Sequence, residues 1–274
     1  MLRERHSMYI RRHVEKLPPP WTNDPILANH RFTNFDRELD RTSIWIRENL
    51  RDPLRNDPKV FLAIVAARWF CRIESIDKIK DLLLEGKWDS KVARRRLYLS
   101  DKIVTGAFMC KSPSGMDKLD GVLFCIDNIA RDAERITTEW VPEKATLEGM
   151  WNLLREYPYC GPFVAYEFTT DLRFTWMLEK APDINTWANL GPGATKGMGY
   201  IIHGDENHWC ETSKKDQQEM LVHLRKILEM SRDPKYWPSE FPRWDSLHVA
   251  EFGTCEFSKY RHALEGRRLK RNYP

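Results

Sequence analysis

Apolar residues recur at intervals of three and four along most of this chain, the spacing that places them on one face of an α-helix. No segment shows the sustained alternation of apolar and polar residues that is typical of a half-buried β-strand. The clearest helix is predicted over Ser213–Met230, where a serine N-cap and an early acid precede late basic residues. The pattern therefore predicts an all-α fold.

The same spacing, together with capping residues, predicts helices along the rest of the chain. These helices run from Asn34 or Asp36 to Leu50 and over Val60–Ile73, Ile76–Leu84, Lys91–Leu99, Asp117–Glu139, Thr146–Tyr157, Phe163–Leu172, a short segment ending at Ile202, and Leu247–Leu264. Residues 1–27 include the stiff LPPPW segment and are predicted to form a loosely ordered extension. Residues 28–274 are predicted to form one domain of two helical halves with a cleft between them.

Composition and charge narrow the class of protein. There is no apolar run of 18 residues and no apolar segment behind the charged N-terminus, so neither a membrane span nor a secretory signal is predicted. The whole chain has a net charge of +4, and the basic tail Arg261–Pro274 alone accounts for that charge. This balance permits a local basic patch, but it does not by itself indicate that the protein binds nucleic acid. The six cysteines follow no zinc or iron–sulfur spacing and are interpreted as reduced thiols of a cytoplasmic protein.

One further cluster resembles a metal site at first sight. His203, Glu206, His208 and Cys210 lie close together in the sequence, but their spacing matches no common zinc template. We interpret this segment as a polar loop and predict no metal ion there.

The segment from Tyr157 to Leu190 carries the strongest motif. A helix enters a tight turn closed by Gly161, a second helix follows, and Asp183 stands 22 positions after that glycine, where a third helix is expected. The backbone amides of such a turn suit a DNA phosphate, so Cys160, Gly161 and Phe163 are predicted to bind one. The alternative is a plain turn between helices.

A second phosphate clamp is predicted in the GPGATKG segment. Its candidate residues are Gly191, Gly193 and Lys196. The segment lacks the spacing of a P-loop, and no other segment has that pattern, which argues against a self-contained nucleotide kinase.

A group of polar residues marks the RFTNFDRELDR segment. Asn34, Arg37 and Arg41 recur at spacings of three and four, so a continuous helix would place them on one face. That face could hydrogen-bond an extruded base, because asparagine offers both a donor and an acceptor to a pyrimidine edge. The alternative is an exposed ion-pair face with Glu38 and Asp40.

Several segments of the chain resemble a known family. LLREYPYCGPFVAYEF resembles the helix-hairpin-helix of the DNA glycosylase superfamily, in which an aspartate at the position of Asp183 is essential. RFTNFDRELDR, GPFVAYEFTTDL, TWANLGPGATKGM and CEFSKY are similar to signatures of a clade that contains α-glutamyl/putrescinyl thymine pyrophosphorylases and 5-hydroxymethyluracil DNA kinase helical domains. The resemblance implies an all-α fold of the helix-hairpin-helix glycosylase type and action on modified pyrimidines in DNA. It also adds Phe32 and Tyr166 to the candidate base pocket. Tyr260, on the last predicted helix with Glu251 and Glu256, could line the same pocket, and the alternative is that these residues tie the terminal helix to the body of the protein.

One departure from the superfamily pattern affects the predicted reaction. Bifunctional glycosylases place a nucleophilic lysine where this chain has Phe163. We therefore predict a monofunctional DNA glycosylase that hydrolyses the N-glycosidic bond of a bulky 5-modified pyrimidine, in antiphage defence. Asp183 is the first candidate for the catalytic acid and Asp171 the second, although a salt bridge with Arg173 or another basic group is the alternative role of Asp171.

Two other functions stay open at this stage. One is a transferase that joins an amine or amino acid to pyrophosphorylated 5-hydroxymethyluracil in DNA, and the other is a module that binds modified DNA without chemistry. In each case the expected partner is DNA containing modified pyrimidines, and the protein is expected to be a monomer. No cofactor is expected beyond a monovalent cation that the hairpin could hold.

Overall fold

The computed structural model describes residues 1–106 and 113–269, and over these residues the chain is helical and forms no β-strand. The all-α prediction is therefore confirmed for the described residues. The α-helices are α1 (Leu2–Tyr9), α2 (Pro25–Asn29), α3 (Arg41–Ile46), α4 (Val60–Phe70), α5 (Ile73–Asp77), α6 (Lys80–Glu85), α7 (Ser90–Leu97), α8 (Lys118–Ala130), α9 (Ala133–Glu139), α10 (Leu147–Arg155), α11 (Pro162–Leu172), α12 (Pro192–His203), α13 (Lys214–Met230) and α14 (Leu247–Leu264). No helix in the described ranges has the length and hydrophobicity needed to cross a bilayer.

The chain divides into two compact units. The first unit comprises Met1–Asp40 together with Ile184–Pro274, and the second unit comprises Arg41–Asp183. Along the sequence, the second unit is thus inserted between the two segments of the first.

Two stretches depart from the predicted helices. The predicted helix that ends at Leu50 is interrupted: a 3₁₀ turn over Arg37–Leu39 precedes an extended Asp40, then α3, then a π-helical turn over Arg47–Arg51. No helix begins at Asp183, because the residues after it form turns and extended chain as far as Gly191.

The N-terminal segment also differs from its prediction. In place of a loose extension, residues 1–27 contain α1 and most of α2. His6 on α1 is buried, and its ring lies 4.6 Å from the Phe35 ring and 4.5 Å from the Phe241 ring, measured between centroids. Burial, with a smaller contribution from the charge of Arg5, lowers the pKa of His6 to about 4, so this helix is anchored by a neutral imidazole in the first unit.

The core of the second unit is built around α4. Every residue of α4 except Leu62 is buried, which is typical of a helix that is apolar on all sides. It packs against α8 and α11 and ends at Cys71, which adopts a left-handed conformation with φ of 43°. The five described cysteines carry free thiols, as expected, and three of them are buried; Cys110 lies outside the described residues.

Close packing of α12 against α14 organises the C-terminal part of the first unit. A Cβ atom added at Gly197 would lie 1.9 Å from the carbonyl oxygen of Thr254, and one added at Gly193 would lie 2.5 Å from Cys255 Sγ. Glycine at these two positions therefore allows the two helix backbones to approach each other closely.

Gly197→Ala is therefore expected to destabilise the protein. The added methyl group meets backbone and not a movable side chain, so we expect a cost of about 1–3 kcal/mol or more in the free energy of unfolding. Urea unfolding of the variant measures this cost. Gly191→Ala is the matched control, because a Cβ there meets nothing within 4 Å and only the helix cap changes. Equal stability of Gly197→Ala and the wild type would contradict the packing described here.

Candidate functional site

Two of the signature segments meet within the first unit. The backbone N–H of Thr33, in the RFTNFDRELD segment, donates to Glu256 Oε2 on α14 at 2.9 Å. Lys259, also on α14, donates to the Arg31 carbonyl oxygen and lies 3.5 Å from the Glu256 carboxylate. These contacts hold the segment against α14, close to the polar residues of the segment. We call the residues Thr33, Asn34, Arg37, Asp40 and Glu256 the signature cluster.

Asn34 holds Asp40 within this cluster. The side-chain amide of Asn34 is buried, and its Nδ2 donates to the Leu39 carbonyl oxygen at 3.1 Å and to Asp40 Oδ1 at 3.0 Å. The 3₁₀ turn begins at Asp36, whose carboxylate accepts from Glu38 N at 2.9 Å, and this turn brings Asp40 back toward Asn34. The position of the Asp40 carboxylate is therefore set by local hydrogen bonds.

The Asp40 carboxyl group has an unusual protonation behaviour. Burial raises the pKa of Asp40 to about 6, and the negative charge of Glu256 also raises it. Hydrogen bonding from Asn34 and the positive charges of Arg37 and Arg5 act in the opposite direction. The Asp40 side chain is half-buried, so it remains accessible. A carboxyl group that titrates near pH 6 can accept or donate a proton close to neutral pH.

This arrangement differs from the sequence interpretation of the same segment. The expected continuous face of Asn34, Arg37 and Arg41 is absent, because Arg37 lies in the 3₁₀ turn and Arg41 opens α3 after the extended Asp40. The alternative of an exposed ion-pair face fails as well, since Asn34 and Arg37 are buried. Asp40 was not among the predicted site residues, and its hydrogen bond to Asn34 could not be read from helical spacing.

Phe32 and Tyr260, two of the predicted pocket residues, pack in a hydrophobic cluster next to the signature cluster. Phe32 is buried beside Met8 and Leu27, and the Tyr260 ring lies 6.1 Å from the Phe32 ring between centroids. The Tyr260 hydroxyl donates to Asp24 Oδ2 at 2.7 Å, and burial together with this bond raises the pKa of Tyr260 to about 12. Contact of either ring with a base stays a prediction.

The other residues predicted for the pocket lie in the second unit. Arg41 is exposed at the start of α3, and Tyr166 is buried on α11. Their roles in binding a base stay predictions.

Asp171, the second candidate for the catalytic acid, lies in a buried ion cluster of the second unit. Arg68 on α4 donates to both carboxylate oxygens of Asp171, with 2.9 Å between Nη2 and Oδ1, and also to Ser43 Oγ at 2.9 Å. Arg51 in the π-helical turn lies 3.6 Å from Asp171 Oδ1. The salt bridge expected as the alternative role of Asp171 is therefore present, with Arg68 and Arg51 as its basic groups.

This ion cluster is shielded from water. Arg51, Arg68 and Asp171 are each at most 3% exposed. Burial alone would lower the pKa of Arg68, but the charge and hydrogen bond of Asp171 outweigh burial and raise it. Arg51 also stacks on the Phe174 ring at 4.2 Å from its centroid, as does Arg173 at 3.9 Å. The arrangement favours a role in holding α3, α4 and α11 together.

Asp183, the first candidate for the catalytic acid, caps a neighbouring helix. Its two carboxylate oxygens accept from the backbone N–H groups of Leu147 at 2.8 Å and Glu148 at 3.0 Å, in the first turn of α10. Thr146, the N-cap residue of α10, accepts from Gly149 N at 2.9 Å. Together they satisfy three amides that the first turn leaves unpaired. The structural role of Asp183 is thus to cap α10.

Asp183→Ala is expected to lower stability without unfolding the chain. Loss of both bonds to the α10 amides should cost about 0.5–2 kcal/mol, the range for a lost helix cap. Chemical denaturation of the variant measures the cost. Asp183→Asn keeps one acceptor oxygen, so its stability should lie between that of Asp183→Ala and that of the wild type. Wild-type stability in Asp183→Ala would rule out the cap as a significant contact.

The predicted phosphate clamp at the hairpin lies at the start of α11. The turn between α10 and α11 contains Tyr159 in a left-handed conformation with φ of 64°, and Gly161 is the N-cap of α11. As a glycine, Gly161 has no side chain with which to cap this helix. Gly161 and Phe163 are exposed there, whereas Cys160 is buried. Phosphate binding by this turn, and the cation expected with it, stay predictions.

The residues of the second predicted clamp serve different purposes. Gly191 is the N-cap of α12, as Gly161 is of α11. Gly193 lies against Cys255, as described above, and the Lys196 amine lies 3.8 Å from the Glu206 carboxylate. The structure therefore gives Gly193 and Lys196 roles in helix packing and in an ion pair, and phosphate binding at this turn stays a prediction.

Comparison with known proteins bears on the predicted activity. The family model for the helical domain of 5-hmdU DNA kinase matches residues 1–268. A protein of Bacillus phage SP10 named 5-hmdU DNA kinase is 25% identical over 286 residues, an alignment that covers 94% of this chain and 43% of that relative. The chain therefore spans less than half the length of the curated relative. No solved structure matches the chain at a significant level.

These comparisons correct the predicted activity. A family defined by a DNA kinase does not fit removal of the base, so the prediction of an antiphage glycosylase that hydrolyses the N-glycosidic bond is wrong. The alternative of a transferase acting on a modified base in DNA agrees better with the family.

Proposed function

The chain belongs to the family of 5-hmdU DNA kinase helical domains, and from this premise we propose that it is a transferase acting on 5-hydroxymethyluracil in DNA. In this proposal it joins an amine or amino acid to the base after the 5-hydroxymethyl group has been pyrophosphorylated. The observation that carries the proposal is the family match, which extends over residues 1–268.

The signature cluster supports the acid–base step of such a transfer. The amine nitrogen attacks the methylene carbon at position 5, the carbon–oxygen bond breaks, and pyrophosphate leaves with the bonding electrons. The new carbon–nitrogen bond requires the nitrogen to lose a proton. Asp40, with a pKa of about 6 and a position fixed by Asn34, is suited to accept that proton near neutral pH.

DNA binding is the second part of the proposal. Contact with phosphate groups is assigned to the start of α11 at Gly161 and, separately, to the start of α12 at Gly191, since the N-terminus of a helix favours anions. The fold is proposed to be of the helix-hairpin-helix glycosylase type, because α10, the glycine turn and α11 follow one another as that motif requires. The partner in solution is proposed to be DNA alone, with the protein acting as a monomer.

Phosphoryl transfer to the 5-hydroxymethyl group is a second candidate function. It is favoured by the name of the phage relative, a 5-hmdU DNA kinase, although the chain covers only 43% of that protein. A kinase acting through this chain alone would need a nucleotide site other than a P-loop, because the sequence lacks that pattern.

One experiment separates the two candidates. Duplex DNA containing 5-hydroxymethyluracil is incubated with the protein and ATP, and duplex DNA containing its pyrophosphorylated form is incubated with a mixture of amino acids and polyamines. Nucleosides from both digests are analysed by mass spectrometry. We expect an amine adduct in the second reaction. A phosphorylated nucleoside in the first reaction alone would support the kinase, and unchanged nucleosides in both would contradict transferase activity.

A further inference from the structure

Three side chains of the types that bind metal ions lie near the C-terminal end of α12, outside the signature cluster. His203 is the last residue of α12, His208 follows in the next turn, and Glu219 lies on α13. One ring nitrogen of each histidine and one carboxylate oxygen of Glu219 all lie within 4.8 Å of one another. The sequence pattern paired these histidines with Glu206 and Cys210 instead.

The backbone brings the two histidines together. Gly204 ends α12 in a left-handed conformation with φ of 72°, and the chain then turns back along the helix. The Asp205 carbonyl oxygen lies so close to Gly199 that an added Cβ would be 2.3 Å from it. Asp205 also accepts from Asn207 N at 2.9 Å, which tightens the turn that carries His208. These contacts of the turn after α12 position His208 beside the end of the helix.

A buried tryptophan restrains both imidazole rings. The His203 and His208 rings stack at 3.5 Å between centroids with an angle of 16° between their planes. The buried Trp209 meets both rings edge-on, at 4.8 Å from His203 and 5.0 Å from His208. The two histidine rings are therefore held side by side at the end of α12.

Glu206, the acid that the sequence pattern had placed in this group, is engaged elsewhere. Its carboxylate lies 2.7 Å from His262 Nε2 and accepts from Arg267 at 2.7 Å. Despite the opposing effect of burial, these two hydrogen bonds and the charge of Lys196 lower the pKa of Glu206 to about 2. Glu219 comes from a different helix, so sequence proximity could not identify it.

We propose that His203, His208 and Glu219 bind a divalent transition-metal ion, with zinc as the best fit. Two imidazole nitrogens and one carboxylate oxygen suit zinc, nickel or cobalt, whereas magnesium and calcium prefer sets of oxygen ligands. Tetrahedral zinc requires donor atoms about 3.4 Å apart, and the three donors here lie within 4.8 Å of one another. Because stacked rings direct their nitrogen lone pairs along nearly parallel lines, the two exposed imidazoles must turn toward each other to hold one ion. Three protein ligands leave a position open to water.

Titration of metal-free protein tests the proposal. The chain is stripped with a chelator and titrated with Zn²⁺ by calorimetry and with Co²⁺ by visible absorption, each with excess Mg²⁺ present. We expect one ion per chain. Loss of an outer-shell partner alone costs about 10–100-fold in affinity, so His203→Ala, His208→Ala and Glu219→Gln should each weaken binding by at least that factor.

A neighbouring histidine provides the control. His223 lies on α13 with its ring 5.7 Å from the Trp209 ring, but it does not belong to the group of three. His223→Ala should bind the ion as the wild type does. Unchanged affinity in the double variant His203→Ala/His208→Ala, or an equal loss in His223→Ala, would overturn the proposed site. His203, His208 and Glu219 are exposed and His223 is half-buried, and thermal unfolding checks that each variant is folded. The result is independent of the proposed transferase activity.

Discussion

Replacing Asp171 by alanine should destabilise the second unit by about 3–5 kcal/mol, the range observed when one partner of a buried ion pair is removed. The variant leaves the Arg68 guanidinium charged and shielded from water, with the Ser43 hydroxyl and the Cys71 thiol as contacts and the weaker effect of the Glu167 charge. It also removes the carboxylate from Arg51. Urea unfolding monitored by circular dichroism measures this loss of stability as a lower urea concentration at the midpoint of the transition.

The double variant Arg68→Met/Asp171→Leu separates an unpaired charge from a loss of packing. Because apolar residues of similar size often replace a buried ion pair with little cost, this variant should recover at least part of the stability lost in Asp171→Ala. The exposed pair of Arg135 and Glu139 on α9 is the matched control, and Glu139→Ala should leave the midpoint nearly unchanged. If Asp171→Ala is as stable as Glu139→Ala, the buried pair does not hold the unit together.

Asp40→Asn should lower the rate of transfer by about 10²–10⁴-fold, the usual contribution of a general base, while the protein remains folded. Asparagine has nearly the same shape and can still accept the hydrogen bond from Asn34 Nδ2. Initial rates of amine transfer to modified DNA measure the effect. Asp36→Asn is the matched control in the same segment, because asparagine caps a helical turn as well as aspartate does.

The pH dependence of the rate gives the same assignment a second test. A base with a pKa of about 6 must be deprotonated to act, so the rate should fall as the pH drops through about 6 and should level off above it. The negative charge of Glu256 contributes to the raised pKa of Asp40, so Glu256→Gln should move this acid limb to lower pH. A profile that is identical in wild type and Asp40→Asn would exclude Asp40 as the base.

Local sequence signals predicted the helices well where capping residues agreed with apolar spacing. Ser213 caps α13 through Asp216 N, and α14 has the predicted bounds. The predicted helix from Asn34 failed because Asp36 caps only a 3₁₀ turn and Asp40 is held extended by Asn34. Hydrogen bonds between side chains and backbone decided that segment, and helical periodicity carries no information about them.

The candidate site could be predicted only in part. Asn34 and Arg37, which the signature segments proposed, are buried in the signature cluster, and their contact with a base stays a prediction. The acids were assigned from their distance after the hairpin, yet Asp183 caps α10 and Asp171 pairs with Arg68. The pairings of Thr33 with Glu256 and of Asp171 with Arg68 join residues more than a hundred positions apart, and only the folded chain brings them together.

The intact mass of a short duplex gives the most direct test of the proposed transferase. The duplex carries one pyrophosphorylated 5-hydroxymethyluracil and is incubated with the protein and a single amine, and released pyrophosphate is measured in parallel. We expect a strand in which the amine has replaced the pyrophosphate, one released pyrophosphate per adduct, and an intact bond between base and sugar. Free base with an alkali-sensitive strand, or an unchanged strand with every amine tried, would contradict it.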